Sequence, residues 1–141
     1  MKKLVILCLM FLPCSSIAQT TGTLTDPRDG RIYKTVKIGD QWWMAENLKA
    51  TKYTDGTDIP LVTNNSTWSG LSTPAYCYYN NDKNTYESVY GALYNWYTVN
   101  TGKLCPSGWH VPDKDEWTTM VNYLGGDDEA GGKLKEAGTA H

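Results

Sequence analysis

The side chains best suited to bind a ligand are aromatic rings and amides that stand on polar loops. One tryptophan lies among small polar residues, and two consecutive tyrosines are followed directly by two asparagines and an aspartate. An aromatic ring can stack on the apolar face of a sugar, while amide and carboxylate groups bond the sugar hydroxyls. The alternative for the tryptophan is that it folds back as a plug over the core. The candidate ligand-binding residues are Trp68, Tyr78, Tyr79, Asn80, Asn81 and Asp82.

Two loops are rich in the oxygen atoms that Ca²⁺ prefers as ligands. Residues 80–84 together with Glu87 form one of them, and Asp55-Gly56-Thr57-Asp58 forms the other. Neither loop has the full spacing of a calcium-binding loop, and Asn and Asp side chains commonly bond their own backbone in turns. We therefore predict ordinary turns and no cofactor, with Ca²⁺ as the alternative. Nothing in the sequence distinguishes one pair of acidic residues as the two catalytic carboxylates of a glycoside hydrolase.

Two cysteines, Cys77 and Cys105, lie in the body of the chain. We predict a disulfide between them, because the export signal described below would carry them to a compartment where disulfides form. Two buried free thiols are the alternative. A catalytic thiol would need a base, and His110 lies only five positions after Cys105, but no third residue orients it. Two cysteines and two histidines without a close-spaced pair also make a poor zinc site, so we predict no catalytic residue and no metal ligand.

The N-terminus has the pattern of a secretory signal peptide over residues 1–18. Lys2 and Lys3 precede an apolar run over residues 4–12, and a small-x-small site predicts cleavage after Ala18. The apolar run is too short to span a bilayer. A lipid anchor on Cys14 is the alternative, although Pro13 stands where a small residue is expected. We therefore expect a secreted or cell-surface protein.

Composition narrows the class of partner. The chain has 141 residues and a formal net charge of −2. The net charge becomes more negative when the signal peptide is removed with its two lysines. No basic cluster or stripe is present, so we expect no nucleic-acid partner. All 6 Trp and all 10 Tyr follow the predicted signal peptide, which indicates many half-buried or ligand-facing rings. The length that remains after the signal peptide suits one domain. The sequence leaves the oligomeric state of the protein open.

The first half of the chain predicts strands. Residues 19–25 are polar and are expected to form a flexible leader. Residues 31–38 alternate and are rich in β-branched side chains, Gly39-Asp40 suits a tight turn, and residues 41–45 return as a second strand. Residues 75–79 predict another strand, followed by a polar loop over residues 80–85. A short helix is expected around residues 93–100, and the alternative is a strand over residues 90–94 that enters a short helix.

The clearest helix follows Asp113. This residue is a good N-cap, and Glu116 stands three positions later, where it can complete a capping box. An apolar face then needs a partner, and we expect it to dock onto the early hairpin, with Gly125 ending the helix. A second short helix is predicted after Asp127 or Asp128, with a polar tail as the alternative. The apolar face consists of Trp117, Met120, Val121 and Leu124.

Four stretches in order carry a resemblance to a known family. They are residues 33–48, 76–82, 90–97 and 105–117. Together they resemble the Fibrobacter succinogenes major paralogous domain, which is common in exported bacterial proteins, over residues 26–141. Residues 108–117 are also similar to the Gly-Trp-Arg-Leu-Pro motif of formylglycine-generating enzymes.

The resemblance implies an α+β domain with a C-type-lectin-like fold, built from an N-terminal β-hairpin, short helices and a loop-rich irregular sheet. The family pattern normally continues past residue 141, so the resemblance also implies a C-terminally incomplete domain. The missing part would be where lectin-like domains usually place calcium and sugar ligands, and where the oxidases place their copper-binding cysteines.

From these observations we expect an exported, non-catalytic module that binds a glycan or a surface protein. Two alternatives stay open: an oxidoreductase of the formylglycine-generating type, and a purely structural surface or adhesion component.

Overall fold

The computed structural model describes residues 19–135. The predicted signal peptide, its cleavage site and the alternative anchor at Cys14 therefore lie outside the described residues, as do residues 136–141. The described part is α+β, with two small antiparallel sheets and short helices. The strands are β1 (Thr21–Thr25), β2 (Ile32–Ile38), β3 (Gln41–Met44), β4 (Tyr76–Cys77) and β5 (Leu93–Tyr94). The α-helices are α1 (Asn65–Ser69), α2 (Lys83–Tyr90), α3 (Trp96–Val99), α4 (Lys114–Tyr123) and α5 (Asp127–Leu134).

The predicted flexible leader is wrong, because most of it forms strand β1. Thr21 pairs with Val36 and Thr25 pairs with Ile32, so β1 runs antiparallel along the outer side of β2. Its side chains alternate between exposed and half-buried, with Leu24 on the half-buried face. Threonine favours strands, and the edge of β2 offers unpaired backbone groups that this short polar segment satisfies.

The predicted hairpin of β2 and β3 is confirmed. Ile38 pairs with Gln41, so Gly39 and Asp40 form a two-residue turn. Gly39 has a φ of 61°, and a Cβ there would lie 3.0 Å from the ring of Tyr123. Glycine is needed at this turn both for the left-handed backbone and for the close approach of the ring.

The core lies around the second sheet. Strand β4 is shorter than predicted, and Tyr76 and Cys77 pair with Tyr94 and Leu93 of β5. The predicted polar loop over residues 80–85 instead passes through a 3₁₀ turn at Tyr79–Asn81 and enters α2, while the predicted helix around residues 93–100 is reduced to α3. Packing overrides local pattern in these short elements. The buried core cluster consists of Tyr53, Ile59, Tyr76, Tyr78, Ala92 and Leu104.

A buried ion pair joins the start of β2 to this core. Asp26 is fully buried, and the Arg28 guanidinium donates to its carboxylate from Nε at 2.8 Å and from Nη2 at 2.6 Å. The Nη1 atom of Arg28 donates to the backbone carbonyls of Lys52 and Leu104. One arginine thus holds three chain segments together, using the rigid fork of donors that lysine lacks.

Helix α4 docks onto the early hairpin, as predicted. The capping box is complete: the Asp113 carboxylate accepts from the Glu116 amide, and the Glu116 carboxylate accepts from the Asp113 amide. Met120 is buried, and the ring of Trp117 packs against Trp43 of β3. Trp117 nevertheless stays 47% exposed, so the apolar face is covered only in part.

Helix α5 begins at Asp127, with Gly126 rather than an aspartate as its N-cap. The helix is confirmed, and the alternative of a polar tail is wrong for residues 127–134. None of the helices within residues 19–135 is long and apolar enough to cross a membrane.

Candidate functional site

The candidate site is a half-open pocket of about 440 Å³ beside the second sheet. A pocket of this size falls within the usual range for small-ligand sites. Val62, Cys77 and Tyr78 form part of its wall, and the predicted residues Trp68, Tyr79, Asn80 and Asn81 line it together. Asn65 and Leu93 complete it. Five of the six predicted ligand-binding residues therefore line one pocket, and all of these except the buried Tyr78 are exposed or half-buried.

Residues 61–74, here called the Trp68 loop, form one side of the pocket. The loop is tied to β4 at its start, where the Val62 amide donates to the Tyr76 carbonyl. It is tied again near its end, where Asn95 Nδ2 donates to the Thr73 carbonyl over 2.8 Å. Asn64 caps the short helix α1 by accepting from the Thr67 amide. Trp68 is half-buried and lines the pocket.

Asn80 and Asn81 form the opposite side with an unusual backbone. Their φ angles are 52° and 56°, in the left-handed region that only a few non-glycine residues adopt. Asn81 Nδ2 donates to the Thr63 carbonyl over 2.8 Å and so joins this side to the Trp68 loop. Backbone strain of this kind clusters at ligand sites in other proteins.

Tyr79 presents a ring whose orientation is fixed by its neighbours. It is 46% exposed, and its ring centroid lies 5.0 Å from that of Tyr86 and 5.1 Å from that of Tyr90. Aromatic pairs at these distances are attractive beyond their buried area. The tyrosine cluster therefore holds Tyr79 at the pocket edge with little freedom to move.

Tyr78 does not serve as a stacking surface, contrary to the prediction. It is only 4% exposed and meets Tyr76 edge-on, with ring centroids 5.6 Å apart. Burial raises the pKa of its hydroxyl well above the ordinary value. Side chains alternate along an extended strand, so Tyr76 and Tyr78 face the core together.

Asp82 is also not at the pocket. Its carboxylate accepts from the Thr85 amide over 3.1 Å and caps α2. The hydrogen bond to Thr85 lowers the pKa of this carboxyl. The prediction assigned a ligand role to a side chain that the fold uses as a helix cap.

Acidic side chains in both oxygen-rich loops have partners within the protein. Asp55 accepts from Thr57 and pairs with Lys103 at 2.9 Å, and these hydrogen bonds lower the pKa of its carboxyl. Glu87 pairs with Arg31 at 3.0 Å. Residues 19–135 contain no group of three His, Cys, Asp or Glu side chains placed to hold a metal ion.

The predicted disulfide is wrong, because Cys77 and Cys105 are both free thiols. Both are half-buried, and Cys77 lines the pocket whereas Cys105 is not among its lining residues. Burial raises the pKa of both thiols.

His110 has a structural partner as well. Its Nε2 atom lies 2.7 Å from the Glu116 carboxylate, so the ring belongs to the N-terminus of α4. The Glu116 carboxylate thus contacts both the imidazole and the Asp113 amide of the capping box.

The sequence did not single out Asn65, Val62 or Leu93 as pocket residues. Asn65 carried a detectable signal, since it follows a helix-capping asparagine next to the candidate tryptophan. Val62 and Leu93 carried none, because only the packing of the Trp68 loop against β5 brings them to the pocket.

The described residues form a small α+β domain with a half-open pocket whose lining side chains are uncharged. The chain belongs to the Fibrobacter succinogenes major domain family, whose model matches residues 36–141. No significant match was found among curated proteins or among solved structures. The α+β class and the family are thus confirmed, while the C-type-lectin-like arrangement stays a prediction.

Proposed function

We propose that this protein is an exported, non-catalytic module that binds a glycan at the pocket between the Trp68 loop and the Asn80–Asn81 turn. The observation that carries the proposal is the convergence of two accessible rings, Trp68 and Tyr79, with the amides of Asn65, Asn80 and Asn81. Rings cover the apolar face of a sugar, and amides both donate to and accept from its hydroxyls.

Preorganisation supports the same role. The Trp68 loop is hydrogen-bonded at both ends, and Tyr79 is held by the tyrosine cluster. A ligand that binds fixed side chains avoids the entropy cost of ordering them. A small sugar, which offers little buried area, depends on such a prepared site.

The proposal is tested by screening the purified protein on a glycan array and titrating the best saccharide by calorimetry. Trp68→Ala and Tyr79→Ala should each weaken binding by about tenfold, which corresponds to about 1.4 kcal/mol. Trp96→Ala and Tyr97→Ala are matched controls, since these exposed rings do not line the pocket. Binding that survives both pocket substitutions would contradict the site.

Export is the second part of the proposal and rests on the N-terminal sequence pattern. The mature protein from a secreting bacterial host should begin at Gln19, after cleavage at Ala18. Intact mass and N-terminal sequencing measure this directly. A mass with added acyl chains on Cys14 would support the anchored alternative instead, and an uncleaved Met1 terminus would contradict export.

A further inference from the structure

The side chains that line the pocket are all uncharged. The nearest charges along the chain are those of Asp82 and Lys83. The Asp82 carboxylate is occupied as the cap of α2, and Lys83 Nζ lies 5.8 Å from the Tyr78 ring centroid. Neither Asp82 nor Lys83 is among the side chains that line the pocket, so no lining cation balances an ionised ligand.

The hydrogen-bonding groups of the pocket also disfavour an anion. Asn81 Nδ2 is used by the Thr63 carbonyl, which leaves the Asn81 carbonyl oxygen as an acceptor. Asn65 Oδ1 lies 3.5 Å from the same nitrogen and adds another acceptor. A hydroxyl donates as well as accepts and can use these oxygens, whereas a carboxylate only accepts, so it would meet only the neutral donors of the pocket and no cation among the lining side chains.

We infer that the pocket selects uncharged pyranoses and discriminates against sugars that carry a carboxylate, such as uronic and sialic acids. This inference rests on the proposed function and narrows its ligand class. Selectivity arises from the cost of desolvating an unpaired charge, since a binding site can reject a ligand by leaving its charge without a partner.

The test compares oligosaccharides that differ only in charge, by titration into the intact protein. Galactotetraose and tetragalacturonate form one pair, and a glucose-terminated and a glucuronate-terminated oligosaccharide form another. We expect the acidic member of each pair to bind at least about tenfold more weakly. Affinity for the neutral members should not change between low and high salt.

A charge introduced at the pocket should reverse this preference. Asn65→Lys places a cation at the pocket on the first residue of α1, where lysine suits a helix. Ser66→Lys adds the same charge one residue away, outside the pocket lining. We expect Asn65→Lys to raise affinity for the acidic member by about tenfold and to lose this gain at high salt, with no such gain for Ser66→Lys.

The outcomes separate the inference from the function on which it rests. Equal affinity for acidic and neutral members in the unmodified protein would overturn the inference while leaving glycan binding intact. A gain as large for Ser66→Lys as for Asn65→Lys would also overturn it. Failure of every saccharide to bind a protein with an unchanged melting temperature would overturn both.

Discussion

Trp43 on β3 and Trp117 on α4 lie with their ring centroids 5.1 Å apart and their planes at 52°. This contact joins the N-terminal sheet to the capped helix near the other end of the chain. Gln41 Nε2 adds a weak hydrogen bond to the Glu116 carbonyl over 3.4 Å, and Tyr123 packs on Gly39. Few groups hold the helix in place, so each of them should have a measurable effect on stability.

Trp117→Ala should lower the free energy of unfolding by about 2 kcal/mol, because it removes the ring from a partly buried contact. In a double-mutant cycle with Trp43→Ala, we expect a coupling energy of about 1 kcal/mol. Urea unfolding followed by circular dichroism measures both values. Trp96→Ala is the matched control, since Trp96 is 67% exposed. If the effects of Trp43→Ala and Trp117→Ala on the free energy of unfolding were additive, this would contradict a direct contact between the two rings.

Gly91→Ala should be among the most destabilising single substitutions in the chain. Gly91 has φ 66° and ψ −150°, a backbone conformation that residues with a side chain rarely adopt. An added Cβ would also lie 2.5 Å from the Leu48 carbonyl oxygen. Strain and steric overlap together should cost more than about 3 kcal/mol.

Gly56→Ala separates these two causes. Gly56 also has a positive φ, of 86°, but an added Cβ there would meet nothing within 4 Å. Only the cost of the left-handed backbone applies, so the loss should be about 1 kcal/mol. Similar melting temperatures for the two variants would show that the contact with Leu48 is not as close as the structure has it.

The ion pair of Asp26 and Arg28 should make stability depend on pH in acid. Burial alone would raise the pKa of Asp26, but the hydrogen bonds and charge of Arg28 outweigh it and hold the pKa below its ordinary value. Because the folded pKa is depressed, the contribution is fully present above the unfolded pKa of about 3.9 and is lost as pH falls through the lower folded pKa.

Asp26→Asn tests this dependence. It should destabilise the protein by about 3 kcal/mol near neutral pH, since Arg28 keeps a buried charge without its partner. The difference from the unmodified protein should shrink below about pH 4, as shown by urea unfolding across pH. Asp58→Asn, which removes one member of the exposed pair with Lys52, should have little effect. A difference that stays constant down to pH 2 would exclude the assigned role of Asp26.

The two free thiols should react slowly with iodoacetamide, and a bound ligand should slow the reaction of only one of them. Burial raises the pKa of Cys77 and Cys105, so iodoacetamide should modify both more slowly in the folded protein than in denaturant at neutral pH. A saturating saccharide should protect Cys77, which lines the pocket, and leave the rate at Cys105 unchanged. Peptide mapping by mass spectrometry follows each site. Recovery of Cys77 and Cys105 in one disulfide-linked peptide pair would contradict the free thiols and support the disulfide that the sequence predicted.

Part of the site was readable from residue types. The run from Tyr78 to Asp82 and the isolated Trp68 indicated a ligand site, and the pocket brings Trp68, Tyr79, Asn80 and Asn81 together. The run itself did not show which members face outward. Strand alternation buries Tyr78, and the start of α2 uses Asp82 as its cap.

The local signals of the sequence determined the hairpin turn at Gly39-Asp40 and the capping box of α4. These depend on neighbours a few residues apart, so backbone preferences and short-range hydrogen bonds suffice to specify them. Only the tertiary structure decided that residues 21–25 form a strand, that Cys77 and Cys105 are free thiols, and that Asn65 and Leu93 reach the pocket. Those outcomes depend on contacts between segments far apart in the chain, where backbone pairing and burial outweigh the preference of any single residue.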